Sequence, residues 1–244
     1  DAQFYLGNSY LKLKDTVRAM DQYMAYLSGP LTGFFEPISL RVASYFYDKD
    51  NYPQAKTYYL KLEQCASKPN NITAAKLGVM RSSFLVKEYA MSKTYAEQVV
   101  ALPGISNNLK LEAQYALGIS AYHIGDFLGA EPALRWVVKN TTTVKAAESK
   151  YCLADIQFKN SQLDSSLMLI KELVKMKPTY NYWVAKGLIL QTKIHVLQEH
   201  YLEADQTITS VINFYPTKEQ DGILEEANSL KKEIDGYLNP EKNL

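Results

Sequence analysis

The stretch Tyr115–Leu134, YALGISAYHIGDFLGAEPAL, decides the fold. It reads as two short amphipathic helices joined by a tight turn. Leu117, Gly118 and Ala121 fall three and four apart, so they share one face of a first helix, where a small residue lets a partner helix approach closely. Gly125-Asp126-Phe127 supplies the turn, and Ala130, Leu134 and Val137 line the facing side of a second helix. The same frame fits Leu6-Gly7, Tyr10, Ala19 and Tyr23, closed by Pro30, and again Ala43, Phe46, Asn51-Tyr52, Ala55 and Tyr59. Looser copies run through Val79, Tyr89 and Ser92, through Leu153-Ala154, Leu163 and Ser166 with Pro178, and through His195, Tyr201 and Ala204 with Pro216. Taking the small residue of the second helix as marker, the register points are 19, 55, 92, 130, 166 and 204, spaced by 36, 37, 38, 36 and 38. A period held across the chain means a helical repeat array, in which each unit buries its stripe only against its neighbours.

The Leu-Gly pair, the following tyrosine, the Gly-Asp-aromatic turn and the alanine of the second helix resemble the tetratricopeptide consensus, whose repeat is about 34 residues. The resemblance implies an all-α fold: a right-handed α-solenoid of about six TPR-like helix-turn-helix repeats plus a C-terminal capping helix. The expected layout is a single domain over 1–238, with repeats at 1–33, 36–70, 72–106, 109–142, 145–178 and 181–216. The cap is expected at 218–238, on a stripe of Ile223, Ala227, Leu230, Ile234 and Tyr237, and 239–244 as a frayed tail. The residues beyond the family length are assigned to longer turns at Gly29–Glu36, Lys68–Thr73 and Pro103–Asn108. Pro53 and Pro132 are placed in the first turn of a second helix, where a missing N–H does little harm. The helix at Asp1 is apolar on several sides, which leads us to expect further repeats upstream. The segment AQFYLGNSYLKLKDTVRAMDQYMAYL and the run Phe214-Tyr215-Pro216 are similar to envelope-associated bacterial repeat proteins, implying a bacterial periplasm or cell-envelope location, with the cytoplasm as alternative.

Composition narrows the function. Net charge is +1, from 27 basic and 26 acidic residues without a like-charged block, so no nucleic-acid partner is expected. No apolar run reaches the roughly 18 residues that span a bilayer. Cys65 and Cys152 have no CxxC spacing and read as free thiols. His195 and His200 are five apart, off the i, i+4 spacing of a metal pair, and His195 occupies a packing position of the repeat. His123 is expected to face solvent or groove. The carboxylates Asp48, Glu148 and Asp155 form no site-like cluster, with Asp48 a long way from the other two, and read as solvated surface. Asn71-Ile-Thr73 and Asn140-Thr-Thr142 match the glycosylation tripeptide, a short pattern. No phosphate loop, nucleophile elbow or HExxH occurs, so neither catalysis nor a cofactor or metal is expected.

What remains is binding of a protein or peptide. The resemblance places the partner-binding groove on the first helices: Asn8 and Lys12; Tyr47 and Asp48; Arg81 and Phe84; Tyr115, Ile119 and Tyr122; Tyr151, Asp155, Phe158 and Lys159; and Lys193. One equivalent position reads Leu11, Tyr47, Phe84, Tyr122, Phe158 and Val196, mostly aromatic. Two readings of that row stand side by side, a binding ladder and interhelical packing. The mixed charges do not resemble the family's carboxylate clamp, which favours an extended or helical segment in an apolar groove. The function expected is a non-enzymatic scaffold. The alternatives are a regulatory or sensor module controlling a fused or associated effector, and an enzyme working through loops.

Overall fold

The computed structural model describes residues 2–216 and 220–239. Among these the chain forms thirteen helices and no strand: α1 (Ala2–Lys12), α2 (Thr16–Leu27), α3 (Phe35–Tyr47), α4 (Tyr52–Cys65), α5 (Pro69–Leu85), α6 (Tyr89–Val100), α7 (Asn107–His123), α8 (Phe127–Asn140), α9 (Val144–Lys159), α10 (Leu163–Val174), α11 (Asn181–Leu197), α12 (Tyr201–Phe214) and α13 (Ile223–Leu238). They fall into two compact units, Asp1–Asp126 with α1 to α7 and Phe127–Leu244 with α8 to α13. In each unit consecutive helices pack antiparallel as hairpins, and alternate helices also touch: α3 with α5 and α5 with α7 in the first, α9 with α11 and α11 with α13 in the second.

Every odd-numbered helix from α1 to α11 ends in the same way. The turn residue is left-handed at Lys14, Asp50, Lys87, Gly125, Ser161 and Glu199. Its N–H donates three residues back (Lys87 to the Phe84 carbonyl, 3.0 Å), and the next N–H reaches five back (Glu88 to the Ser83 carbonyl, 2.8 Å). This is the Schellman pattern, which satisfies carbonyls that the helix end would leave bare. The next helix then starts at once, capped by the Asp15 and Asn51 side chains in α2 and α4.

The register residues Ala19, Ala55, Ser92, Ala130, Ser166 and Ala204 are all at 0% exposure, because each lies where two backbones come closest. Glycine allows similar approaches on the first helices: a Cβ on Gly7 would stand 2.5 Å from the Tyr23 ring, and one on Gly78 would overlap the Tyr59 ring. Tyr23, Leu62, Leu134, Ile170 and Leu173 fill the space so framed, each contributing about 1.5–3 kcal/mol by leaving water. In the second unit α13 lies on α12, with Tyr201 stacked on Tyr237 at 4.7 Å and Lys231 paired to Asp205 at 2.8 Å.

Some local expectations are corrected. Pro132 sits inside α8, five residues beyond Phe127, so the Leu128 carbonyl loses its helical donor and the ring is not in the first turn. Lys68–Thr73 is not a long turn: Pro69 pre-sets its own φ and starts α5, which runs 17 residues. Glu36 likewise belongs to α3, and Asn107 and Asn108 to α7. Much of the length beyond 34 residues therefore went into longer first helices such as α5, α7 and α11, each of 17 residues. Positions 217–219, where the cap was expected to begin, and 240–244 of the expected tail lie outside the described residues.

Candidate functional site

In the first unit the adjacent helices α3, α5 and α7 bring several of the expected residues onto neighbouring surfaces. Arg81 of α5 grips Glu112 of α7 with two hydrogen bonds, Nε to Oε1 at 2.6 Å and Nη2 to Oε2 at 2.7 Å. Tyr47 of α3 is half-buried near this pair; burial raises its hydroxyl pKa while the Arg81 charge opposes the shift. Phe84 lies between Tyr115 at 5.8 Å and Tyr89 at 6.2 Å, Tyr89 stacks on His123 at 4.2 Å, and His123 meets Tyr122 edge-on at 5.4 Å. The result is a run of rings from α7 through α5 and α6 back to α7. Asn8 is partly buried, accepting the Tyr23 hydroxyl at 2.7 Å, to which Arg41 Nη1 also donates at 3.1 Å. Lys12 and Asp48 are exposed.

Beside α3 a cleft of about 600 Å³ opens, walled by Leu11, Met20, Leu40 and Tyr45, with Arg41 and Asp48 among its polar lining. A side chain entering it would exchange water for mostly apolar surface and meet charge of both signs.

In the second unit Tyr151 of α9 faces Trp183 of α11 at 5.5 Å, with Lys186 over its ring at 5.8 Å. Burial, then the nearby Asp155 carboxylate, pushes the Tyr151 hydroxyl far up. Lys193 and Lys186 both hold Glu226 of α13, at 2.7 and 3.1 Å. Desolvation works against ionisation of Glu226, but the two lysines outweigh it and its pKa falls. Lys159 is exposed and pairs with Asp155 at 2.6 Å. Phe158 is half-buried near the end of α9.

Two expectations change here. Asp155 is not solvated surface: only 8% of it is exposed, and its charge is met by Lys159. Ile119 is 2% exposed, because its step along α7 points into the core, and it offers a partner almost no surface. The row Leu11, Tyr47, Phe84, Tyr122, Phe158 and Val196 is half-buried at every position. Tyr47 and Phe84 each pack on the first residue of the next helix, Tyr52 and Tyr89. Glu112, Glu226, Tyr89 and Trp183 were not among the expected site residues. The acid partners had a faint signal: Glu112 follows Arg81 by 31 residues, a little less than one repeat.

Elsewhere the chemistry is quiet. Cys65 and Cys152 are free thiols, and burial pushes Cys152 well up, away from thiolate. Burial also lowers the pKa of His195, whose Nδ1 is enclosed without a hydrogen-bond partner among the described residues. His123 is exposed, as a solvent- or groove-facing position requires. Asn71 is committed to Glu36 and Asn140 to the Trp136 carbonyl. Among the described residues no three His, Cys, Asp or Glu side chains are grouped to hold a metal, and no helix is long and apolar enough to cross a membrane.

Among the described residues, the antiparallel hairpins within each unit, the turn geometry shared by the odd-numbered helices α1 to α11 and the small-residue register define a helical-repeat protein, and the fold is that of the tetratricopeptide repeat. The chain is similar to YrrB, a TPR protein with an unusual peptide-binding site, at a TM-score of 0.60 and 15% identity, over 80% of this chain and 92% of that one. It also matches a tetratricopeptide repeat protein from Parabacteroides merdae at a TM-score of 0.49 and 12% identity, over 95% of this chain and 98% of that one. No protein-family model and no curated protein matches the sequence.

Proposed function

We propose that this chain is a non-enzymatic scaffold that binds a protein or peptide segment on the surface of its odd-numbered helices. The observation that carries the reading is the cleft beside α3, mostly apolar and edged by Arg41 and Asp48. Half-buried aromatics such as Tyr47 and Phe84 extend the same surface onto α5; rings offer large contact area at small entropic expense, which is why they dominate binding hot spots. Arg81 on α5 is already paired with Glu112, so an incoming segment gains chiefly from apolar contact, with Arg41 and Asp48 open to polar contact at the cleft edge. That YrrB, of similar fold, has a peptide-binding site supports the reading.

The test is selection of a displayed random-peptide library on the intact chain, followed by affinity measurement on Tyr45→Ala and Leu40→Glu variants whose helicity is checked by circular dichroism. We expect roughly tenfold or greater loss of affinity in the variants. Peptides that bind the variants as well as the parent, or that lose binding only when Leu128 or Met168 on α8 and α10 is changed, would sink the proposal.

A further inference from the structure

Two charges on α3 break the pattern of the repeat. Arg41 lies fourteen residues before the register residue Ala55, and the same step reaches Gly78, Ala116, Cys152 and Leu190 in four other repeats, all of them buried. Asp48 lies seven residues before Ala55, where the other repeats carry Lys12, Leu85, His123, Lys159 and Leu197. A carboxylate suits that position least, because the carbonyls at a helix C-terminus disfavour negative charge. Packing of the repeat therefore asks for neither side chain.

Both line the cleft beside α3. In the first unit α3 touches α5 and α5 touches α7, but among the described residues α1 has no such backbone contact with α3. The cleft opens there, with Leu11 of α1 and Leu40 of α3 on its walls. Arg41 is exposed; its Nη1 donates to the Tyr23 hydroxyl at 3.1 Å, and its guanidinium lies 5.7 Å from the centre of that ring. Tyr23 is itself fixed, fully buried and donating to Asn8 at 2.7 Å. These contacts orient the guanidinium without neutralising it, since the phenol is uncharged, and leave further N–H donors for a carboxylate. Arg81, Lys159 and Lys193 on other first helices each hold an acid, whereas among the described residues Arg41 meets no carboxylate and Asp48 no cation.

We propose that the cleft selects a short extended segment whose acidic and basic side chains stand three residues apart with an apolar one between them, the acid on Arg41 and the base on Asp48. This inference rests on the cleft reading above and adds a charge order to it. Seven residues of helix separate the two positions by about 10.5 Å and keep them on one face, with Ser44 and Tyr45 between. A polyproline-type strand rises about 3.1 Å per residue with three residues per turn, so side chains three apart share a side and stand about 9 Å apart. Two turns of a visiting helix, about 10 Å across, would fill about 800 Å³. That exceeds the cleft of about 600 Å³. Opposite charges this close cancel at longer range, so the pair sorts partners on contact and draws none in from a distance.

The probes are two fluorescein-labelled peptides blocked at both ends, Gly-Glu-Pro-Leu-Lys-Gly and its twin with glutamate and lysine exchanged, titrated into the intact chain by fluorescence anisotropy. One twin should bind roughly fivefold or more tightly than the other. Arg41→Glu with Asp48→Arg should exchange the preference. Asp48→Arg alone should abolish it, because both twins then meet two like cations. The single variant alters an exposed side chain that has no ion partner, so it serves even where the double variant loosens Tyr23, which circular dichroism would reveal. Twins that bind the parent equally, or a preference that Asp48→Arg leaves unmoved, overturn the inference and leave the cleft reading in place. Absence of saturable binding by either twin overturns it as well. Binding of both twins that Leu40→Glu leaves intact brings down the cleft reading itself.

Discussion

Lys87→Gly should make this protein more stable, although it deletes a side chain and introduces the residue with the poorest helix propensity short of proline. Lys87 holds φ at +60°. A residue with a Cβ pays about 1–2 kcal/mol in the left-handed region, where Cβ crowds the carbonyl oxygen. Glycine removes that strain but gives up about 0.5–1 kcal/mol more chain entropy on folding. The Lys87 side chain is exposed and no packing is lost, so the net gain is about 0.5–1 kcal/mol. Gly125→Ala is the mirror experiment. At φ +79° nothing lies within 4 Å of an added Cβ, so the expected loss of about 1 kcal/mol comes from the backbone alone. Urea unfolding followed by circular dichroism should show midpoints moving in opposite directions, by about 0.2–0.3 M for a slope near 3 kcal/mol/M. Because repeat arrays can lose two-state behaviour, amide exchange in α5 and α6 gives a local check. A neutral or destabilising Lys87→Gly would refute the argument. Asp50→Gly should gain less, since Asp50 also accepts the Tyr52 hydroxyl at 2.6 Å.

Three further outcomes are expected. Ser92→Ala should stabilise the chain by about 1 kcal/mol in thermal unfolding, since its hydroxyl is enclosed without a partner among the described residues, at a register position where Ala19, Ala55, Ala130 and Ala204 fit. Gly78→Ala should destabilise by about 1–3 kcal/mol in urea, because the added methyl must displace the Tyr59 ring, and pairing it with Tyr59→Leu should recover part of the loss. Glu36 takes hydrogen bonds from Asn71, from the Ser67 hydroxyl and from the Ser67 and Lys68 amides, and these hold its carboxyl at about 2. A folded pKa below the unfolded one means stability present at neutral pH and lost as pH falls from the ordinary carboxylate range toward 2; Glu36→Gln should flatten that part of the profile, read from melting temperature against pH.

The parts legible in the sequence were those where sterics leave few choices. The buried register residues had to be small, and so they showed as a period. The shared turn did not, because only Gly125 advertises a positive φ; Lys14, Asp50, Lys87, Ser161 and Glu199 adopt the same backbone with side chains that carry no such mark. Pro132 misled in the other direction, since a proline signals a helix start but α8 had already begun at Phe127. The ion pairs of the candidate site were hidden for a different reason. Whether Arg81 meets Glu112, or Lys193 meets Glu226, depends on how successive helices are rotated and staggered, which local pattern does not encode.

Those pairs bear on how fast a partner could be found. Arg81 spends its charge on Glu112, Lys159 on Asp155, and Lys186 with Lys193 on Glu226. Little field is left to draw a partner in from a distance, so encounter would run at the unsteered rate, on the order of 10⁵–10⁶ M⁻¹ s⁻¹. Salt would scarcely change it. Affinity on such a surface is then a matter of residence time, set by how slowly apolar side chains leave the rings and the cleft once seated.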